Sequence, residues 1–405
     1  VGSTLRHVLS MTAAGTVGLV AVFLVDVVNL FYISLLGHQE MAAAVGYAGT
    51  LLFFILSLSI GLSIAVGAMT SQALGRGDRP HARELAGASL VMMTATMVLA
   101  ALLLFPFLPY LLNLLGATGA TAELALRFSQ IVLPSAPLLG LGICLSALLR
   151  SLGDARRAMF VTLGAGAATA ALDPLLIFGF GWGLDGAAIA TCLARLVMVG
   201  IGLHGVVRVH RLYAWPSASV LRQTLQPFFA IGVPSVLTQI ATPVGNAFVT
   251  GAISSFGDNA VAGWAVIGRI IPVAFAALFA LSGSVGPILG QNLGAGRHDR
   301  LKLTMRDSLK VVVGYVLCVW LLLAIGGGWI ADVFHAEGEA RDLIVFFCVF
   351  VAGTYVFNGC LVVANAASNN LGFALYSTGV DWGPANLGVL PLILLGGDYL
   401  GARGE

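Results

Sequence analysis

Long apolar segments alternate with short polar loops along the whole chain. A helix needs about 20 residues to cross the hydrocarbon of a bilayer, and segments of this length fall at residues 8–36, 45–74, 85–115, 122–149, 158–181, 186–207, 227–256, 260–293, 308–333, 343–368 and 384–400. Hydrophobic residues make up 59% of the chain and charged residues 9%, and the mean hydropathy is +0.97. Soluble domains do not have this composition, so the pattern predicts an all-α polytopic membrane protein with eleven spans.

Basic residues concentrate in alternate loops, and their placement predicts the orientation. Fifteen of the twenty Lys and Arg lie at the N-terminus or in every second loop, namely Arg6, Arg76, Arg79, Arg83, Arg150, Arg156, Arg157, Arg208, Arg211, Arg222, Arg297, Arg300, Lys302, Arg306 and Lys310. By the positive-inside rule these loops face the cytoplasm. We therefore expect a multi-pass protein of the plasma (inner) membrane with a cytoplasmic N-terminus.

Composition and motifs exclude several other classes of protein. The net charge of +2 gives no footprint for nucleic acid. The five cysteines are odd in number and contain no Cys-x-x-Cys pair, so neither a disulfide framework nor a metal site is indicated. The chain also lacks His-Glu-x-x-His, Gly-x-Ser-x-Gly and a complete P-loop. We expect no catalytic residues, no enzyme activity and no cofactor beyond a coupling ion.

An internal repeat appears when the chain is shifted by 219 residues. The segment SQALGRG at 71–77 then meets GQNLGAG at 290–296, and Leu152, Gly153 and Ala155 meet Leu371, Gly372 and Ala374. Both copies have their basic loop on the same side, so the repeats are parallel and related by an axis along the membrane normal. This predicts two pseudo-symmetric six-helix bundles facing each other.

The repeat also sets the expected domain boundaries. We predict an N-lobe at 1–210 with six helices, a cytoplasmic linker at 211–226 and a C-lobe at 227–405 with the remaining five. The second copy falls about one span short of the first, so a twelfth helix is expected to be missing from this chain.

Two carboxylates, Asp26 and Asp173, lie deep inside apolar segments. An acid placed in hydrocarbon is costly unless it faces a polar interior, so such residues are interpreted as functional by default. Counted from the outer ends of their helices, Asp26, Asp173 and Thr191 fall at similar depth in the outer half of the N-lobe. We predict an ion-coupling site there, with Asn29 near Asp26; the alternative is a structural acid that Asn29 satisfies.

Pro174 follows Asp173 directly and removes one backbone donor, so we expect a helix kink beside the acid. The kink frees a carbonyl oxygen as a further ligand. Burial and a neighbouring acid both favour a neutral carboxyl, which predicts that the site can hold a proton.

Several segments resemble the multidrug and toxic compound extrusion (MATE) transporters over essentially the whole chain. These are FYISLLG after Asp26, LGRGDRPHARE after the second span, LDPLLIFGFGWGLDGAAIAT across the fifth and sixth, and IGVPSVLTQIATPVGNAFVT in the seventh. The resemblance implies a secondary transporter whose two lobes give alternating access to a central cavity.

Within that family the chain is most similar to the DinF-like branch. The NorM branch has a Glu in the seventh helix and an Asp in the tenth, whereas this chain has Thr242 at the former and offers only the amides Asn358 and Asn365 in the latter. Related transporters often carry an Asn four residues before the fifth-helix acid, where this chain has Thr169. A hydroxyl is a weaker cation ligand, which favours H⁺ over Na⁺ as the coupling ion.

Further polar residues in the spans have two interpretations each. Thr238, Gln239 and Asn246, with Thr242, Asn358 and Asn365, line the substrate cavity in one and hydrogen-bond neighbouring helices in the other. Asp185 and Asp381 are interpreted as helix-start or interfacial acids. Arg195 and Arg269 either pair structurally or gate between the lobes.

These features together predict an antiporter that exports amphipathic, often cationic, organic compounds in exchange for H⁺ or, less favoured, Na⁺. Small organic molecules and the lipid bilayer are the expected partners, and the protein is expected to be monomeric. A lipid or glycolipid flippase of the same superfamily is the alternative, and a membrane scaffold or receptor with structural acids is a third. The flippase should line its cavity with several Arg or Lys, for which only Arg195 and Arg269 are candidates.

Overall fold

The computed structural model describes residues 3–34, 39–253, 257–334 and 336–383. The first half folds into eight α-helices: α1 Thr4–Ser34, α2 Gln39–Gly75, α3 Arg79–Leu104, α4 Leu108–Leu114, α5 Gly119–Val132, α6 Ala136–Ser151, α7 Ala155–Pro174 and α8 Gly183–Leu203. The second half adds seven: α9 Ala218–Ile253, α10 Asp258–Ala274, α11 Ala276–Gly294, α12 His298–Val333, α13 Gly338–Phe346, α14 Tyr355–Leu371 and α15 Ala374–Trp382. The described ranges contain no β-strand.

These helices combine into the predicted spans. Nine stretches are long and apolar enough to cross a membrane, and α10 with α11, which meet at a 43° bend, form a tenth among the described residues. Ten of the eleven predicted spans therefore have a helical counterpart. The eleventh, at 384–400, lies outside the described residues.

Several spans are interrupted where a proline removes a backbone donor. Short 3₁₀ turns that contain Pro106 and Pro134 separate α3 from α4 and α5 from α6. A π-helical turn, Leu175–Gly179, follows Pro174 at the end of α7. The backbone groups released at such breaks need other partners, and so the breaks mark places where side chains can bind to the main chain.

The helices pack around two main cores, one in each repeat. We call α1–α8 the N-lobe and α9–α15 the C-lobe. The N-lobe core includes Met93, Met97, Leu145, Leu148 and Leu149, and the C-lobe core includes Phe275, Leu278, Val312, Ile344 and Phe347. The predicted division at 1–210, 211–226 and 227–405 stays a prediction, with α9 beginning inside the predicted linker.

Backbone conformation confirms the 219-residue repeat. Gly77 and Gly296, which the shift aligns, both have positive φ, at 78° and 66°. The aligned pair Gly153 and Gly372 has φ of 80° and 90°. Since an L side chain rarely adopts this conformation, glycine is required at the same turn in both copies. We call the end of the bundle that carries these four turns the basic face, because the arginine-rich loops lie there.

The helix α1 contacts both lobes along its length. Near the basic face, Thr4 donates a hydrogen bond to Asp307 of α12 and Val8 belongs to the C-lobe core. At Gly15, an added Cβ atom would lie 3.1 Å from Cβ of Ala280 in α11. Further out, α1 packs on α7 of its own lobe.

The helix α9 makes the corresponding crossing. Phe228, near its start, belongs to the N-lobe core. Val236 approaches α2 so closely that an added Cβ at Gly61 would lie 2.5 Å from its backbone nitrogen. Beyond this point α9 packs on α15 of the C-lobe. The first helix of each repeat therefore starts against the opposite lobe and continues within its own.

Candidate functional site

Asp173 lies in the last turn of α7 and is fully buried. Neither of its carboxylate oxygens has a hydrogen-bond partner among the described residues. Pro174 follows it, and the π-helical turn then redirects the chain toward α8. Because an unpartnered buried polar group is rare in native structures, this carboxylate calls for a ligand, a proton or water.

The other residues predicted for the ion-coupling site lie on α1, α7 and α8. Thr169 donates to the Ala165 carbonyl at 3.1 Å, and Thr191 donates to the Ala187 carbonyl at 3.0 Å, so both hydroxyl groups bond within their own helices. Asn29 is half-buried on α1.

The structure brings the helices of this site together without showing both acids. The α7 helix packs on both α1 and α8, and at Gly166 an added Cβ would lie 3.2 Å from Cγ2 of Val25. The side chain of Asp26, the next residue, lies outside the described part of the chain. The pairing of Asp26 with Asp173 therefore stays a prediction.

The residues predicted for the substrate cavity differ in exposure, and their place in one cavity stays a prediction. Thr242, Asn246 and Asn358 are exposed, and Gln239 is half-buried. The remaining two, Thr238 and Asn365, lie in a polar seam between α9, α14 and α15.

Asp381 is the acid of this seam, and its interpretation as a helix-start residue was wrong. It is the next-to-last residue of α15 and accepts a 2.7 Å hydrogen bond from Nδ2 of Asn365. One turn away, the Ser377 hydroxyl donates to Oδ1 of Asn369 at 3.1 Å. The C-lobe thus holds a carboxylate within a membrane helix, which the sequence analysis had placed at a helix start instead. Its position in the apolar run that begins at Phe373 is the signal that could have found it.

The seam continues from α15 to α9. The hydroxyl groups of Thr378 and Thr238 both donate to the Pro234 carbonyl, at 2.8 and 3.0 Å, and lie 3.3 Å from each other. Nε1 of Trp382 donates to the Leu237 carbonyl at 3.0 Å. These bonds hold α15 against the proline-containing part of α9.

Asp185 and one of the two intramembrane arginines, Arg195, have structural partners. Asp185 lies in the first turn of α8 and pairs with Arg127. Arg195 donates to the Val132 carbonyl at 3.2 Å and to the Ser135 hydroxyl at 2.6 Å, at the break between α5 and α6. Arg269 is exposed. Arg195 therefore satisfies backbone left open by a broken helix.

The lobes meet at the basic face through a reciprocal contact of α2 and α11. An added Cβ at Gly75 would lie 2.1 Å from the Gln291 carbonyl oxygen, and one at Gly294 would lie 2.1 Å from the Gln72 carbonyl oxygen. The 219-residue shift relates the two halves of this contact. We call these four residues the latch. Its backbones approach so closely that only glycine fits.

Hydrogen bonds extend the latch to α6 and α14. Nε2 of Gln72 donates to the Asn370 carbonyl at 2.8 Å, and Nε2 of Gln291 donates to the Ser151 carbonyl at 2.6 Å. The repeat also relates Ser151 to Asn370, so the two bonds are symmetry equivalents. Each lobe therefore binds the other through the same pair of groups.

Two relatives of similar sequence are named as transport proteins. A FAD transporter of Shewanella oneidensis is 27% identical over 98% of this chain and 89% of its own length. The multidrug export protein MepA of Staphylococcus aureus is 24% identical over 82% of this chain and 74% of its own.

Solved structures and a family model agree with these relatives. The Vibrio cholerae MATE transporter VcmN in the bent form is 26% identical and has a TM-score of 0.94, with 99% of this chain and 91% of that chain covered. A MOP superfamily transporter from Pyrococcus furiosus, 20% identical, shares the fold with a TM-score of 0.91 over 100% of this chain and 91% of its own. The MatE family model matches residues 16–175 and 234–380. The chain therefore belongs to the MatE family, the multidrug and toxic compound extrusion transporters.

Proposed function

We propose that this transporter exports amphipathic, often cationic, organic compounds in exchange for H⁺. The observation that carries this proposal is the buried carboxylate of Asp173, whose oxygens have no hydrogen-bond partner among the described residues. An isolated carboxylate in an apolar environment is far more stable when it is neutral. The carboxylate can therefore take up a proton from one side of the membrane. It releases that proton only when water or a cation can stabilise the resulting negative charge.

The surroundings of Asp173 favour H⁺ over Na⁺. A bound Na⁺ needs several fixed oxygen ligands, whereas a proton needs one titrating group. The hydroxyl groups of Thr169 and Thr191 donate to carbonyls of their own helices, which leaves only neutral hydroxyl oxygens to accept. A hydroxyl oxygen is a weaker cation ligand than the amide oxygen that related transporters often carry at the position of Thr169, and this favours H⁺.

The latch supports alternating access between the lobes. Backbone contacts join α2 to α11, and two equivalent hydrogen bonds join α2 to α14 and α11 to α6, all at the basic face. We propose that this face is cytoplasmic, by the positive-inside rule, and that the protein works as a monomer in the inner membrane. Closure of the basic face corresponds to an outward-open state, and parting of the latch opens the cavity to the cytoplasm.

Export from proteoliposomes tests the coupling. Asp173→Asn removes the titrating group with little change in volume, so we expect loss of export driven by a pH gradient while the protein still folds. Asp299→Asn is the matched control, because Asp299 forms an exposed ion pair with Arg297, which stabilises little. Imposing H⁺ and Na⁺ gradients separately identifies the ion. Full H⁺-driven export by the Asp173→Asn variant refutes the proposal.

Export of a dinucleotide such as FAD is a second candidate, favoured by the relative from Shewanella oneidensis, which aligns over 98% of this chain. Arg150 is a cation suited to a phosphate group at the lobe interface. Its Nε would lie 3.4 Å from a Cβ atom added at Gly283 of α11, while Nη1 donates to the Ser146 hydroxyl. Parallel export assays with FAD and with ethidium distinguish the two substrate classes.

The flippase alternative draws less support from the basic side chains. Of its two candidate residues, Arg195 is bonded at a helix break and Arg269 is exposed. Scrambling of a fluorescent lipid in the same proteoliposomes tests it.

A further inference from the structure

Asp381 lies on the face of α15 that packs against protein. Ala374 and Ser377 are buried, and Thr378 is half-buried, at the three-and-four-residue spacing that leads to Asp381. Leu375 and Tyr376, on the opposite face, are 73% and 69% exposed and are suited to lipid. The carboxylate therefore points into the C-lobe seam rather than into hydrocarbon.

The bonding capacity of this carboxylate is only partly used. Oδ2 accepts the hydrogen bond from Asn365, and within the described residues Oδ1 has no donor and no Lys or Arg pairs with Asp381. The hydroxyl groups of Thr378 and Thr238 lie on the same seam. A half-buried carboxylate that one amide orients, without a protein cation, is suited to bind a cation from outside the chain.

The internal repeat gives this position a counterpart in the N-lobe. The 219-residue shift relates α9 and α15 to α1 and α7, the helices that carry Asp26 and Asp173. In this alignment of the repeats, the residue equivalent to Asp381 is Thr162, which is 11 residues before Asp173. At 1.5 Å per residue, Asp381 therefore lies about 16 Å closer to the basic face than Asp173 does.

We propose that Asp381 and Asn365 form a subsite in the C-lobe for the positively charged group of an organic cation. The proposal rests on the export of organic cations argued above and names a binding position for those substrates, separate from the proton-coupling Asp173. The carboxylate supplies the charge and Asn365 fixes its orientation, while the hydroxyl groups of Thr238 and Thr378 lie on the same seam. Because the subsite lies nearer the basic face than Asp173 does, we expect cation binding and proton coupling to be separable.

Binding to the purified full chain in detergent tests this subsite without any ion gradient. The probes are tetraphenylphosphonium, a cation, and triphenylphosphine oxide, a related uncharged molecule. We expect Asp381→Asn to weaken tetraphenylphosphonium binding by about tenfold or more, equivalent to about 1.4 kcal/mol, with little effect on the uncharged probe. Asn365→Ala should weaken the cation by a smaller factor, and Asp381→Glu should retain part of the affinity.

Controls separate charge recognition from folding and from coupling. Asp332→Asn, at an exposed pair with Arg341, should leave both probes unchanged. Asp173→Asn should keep tetraphenylphosphonium binding while it abolishes pH-driven export, so a failure of the subsite and a failure of proton coupling give different results. Unchanged cation affinity in monodisperse Asp381→Asn protein overturns the proposal, and so does an equal loss for both probes. If Asp381→Asn does not fold, the same comparison is made with Asp381→Glu and Asn365→Ala.

Discussion

Substituting alanine for Gly75 is a direct perturbation of the latch. The new methyl carbon would lie 2.1 Å from the Gln291 carbonyl oxygen, 2.8 Å from its carbon and 2.9 Å from its Cα. All three are backbone atoms of α11, so no side chain can rotate away. The symmetry-related substitution Gly294→Ala meets the Gln72 carbonyl oxygen at the same 2.1 Å.

The size of the effect follows from the separation that the helices must make. Contact at van der Waals distance requires α2 and α11 to move apart by about 1 Å, and overpacking of this kind costs about 1–3 kcal/mol. Because the strain exists only while the lobes are latched, it shifts the balance between conformations rather than global stability alone. A shift of 1.4 kcal/mol changes the population ratio about tenfold, and we expect at least this in favour of the open basic face.

Distance measurements between spin labels can detect this shift. Labels at Arg76→Cys and His298→Cys lie at the basic face, beside the ends of α2 and α12, in a background without the native cysteines. We expect Gly75→Ala and Gly294→Ala each to increase the population at longer distance. Gly49→Ala is the matched control, since it lies on the same helix with no atom within 4 Å of the added Cβ. Unchanged distance distributions in both folded latch variants would refute the reasoning.

Two further predictions concern stability. Burial alone raises the pKa of Asp154, but hydrogen bonds from Arg157 and His210 outweigh burial and lower the pKa from 3.8. The ionised Asp154 therefore stabilises the fold above pH 3.8. This stabilisation is lost as the pH falls through the folded pKa. Asp154→Ala should lower the stability of the protein by about 1 kcal/mol at neutral pH. It should also make stability fall less steeply with decreasing pH, as measured by thermal unfolding in detergent between about pH 3 and pH 7. Equal destabilisation at both ends of that range contradicts this account. Arg195→Met keeps the volume but leaves the Val132 carbonyl without its donor, so we expect a loss of about 1–3 kcal/mol, and an unchanged unfolding temperature would show that the bond contributes nothing.

The spans and the repeat were predictable because both leave strong local signals. Uninterrupted apolar length identifies a membrane helix, and the residues aligned by the 219-residue shift include Gly77 and Gly153, whose backbone conformation admits little else. The fold class followed from these two signals.

Side-chain partners were much less predictable, and Asp381 shows why. The predicted eleventh span began at residue 384, which placed Asp381 before a helix, whereas α15 begins at Ala374. Ser377 and Thr378 lower the local hydropathy, yet their hydroxyl groups bond to the carbonyls of Ala374 and Pro234 and are accommodated within the seam. Hydropathy does not record such bonds.

Contacts between the lobes could also not be predicted from the sequence. The repeat matched Gln72 with Gln291 and Gly75 with Gly294, but it gave no sign that each glutamine faces the glycine of the other copy. That relation depends on how two bundles dock, and docking leaves no periodicity in either bundle.

The crossing of α1 and α9 between the lobes restricts how the molecule can move. Two lobes that only touch each other can separate by translation. Here the first helix of each lobe also packs against the other lobe, which opposes such a translation. We expect the lobes to pivot at the close approaches of Gly15 to Ala280 and of Gly61 to Val236. We expect opening at one end to be accompanied by closing at the other, so that the connectivity of the chain opposes a leak through both ends at once.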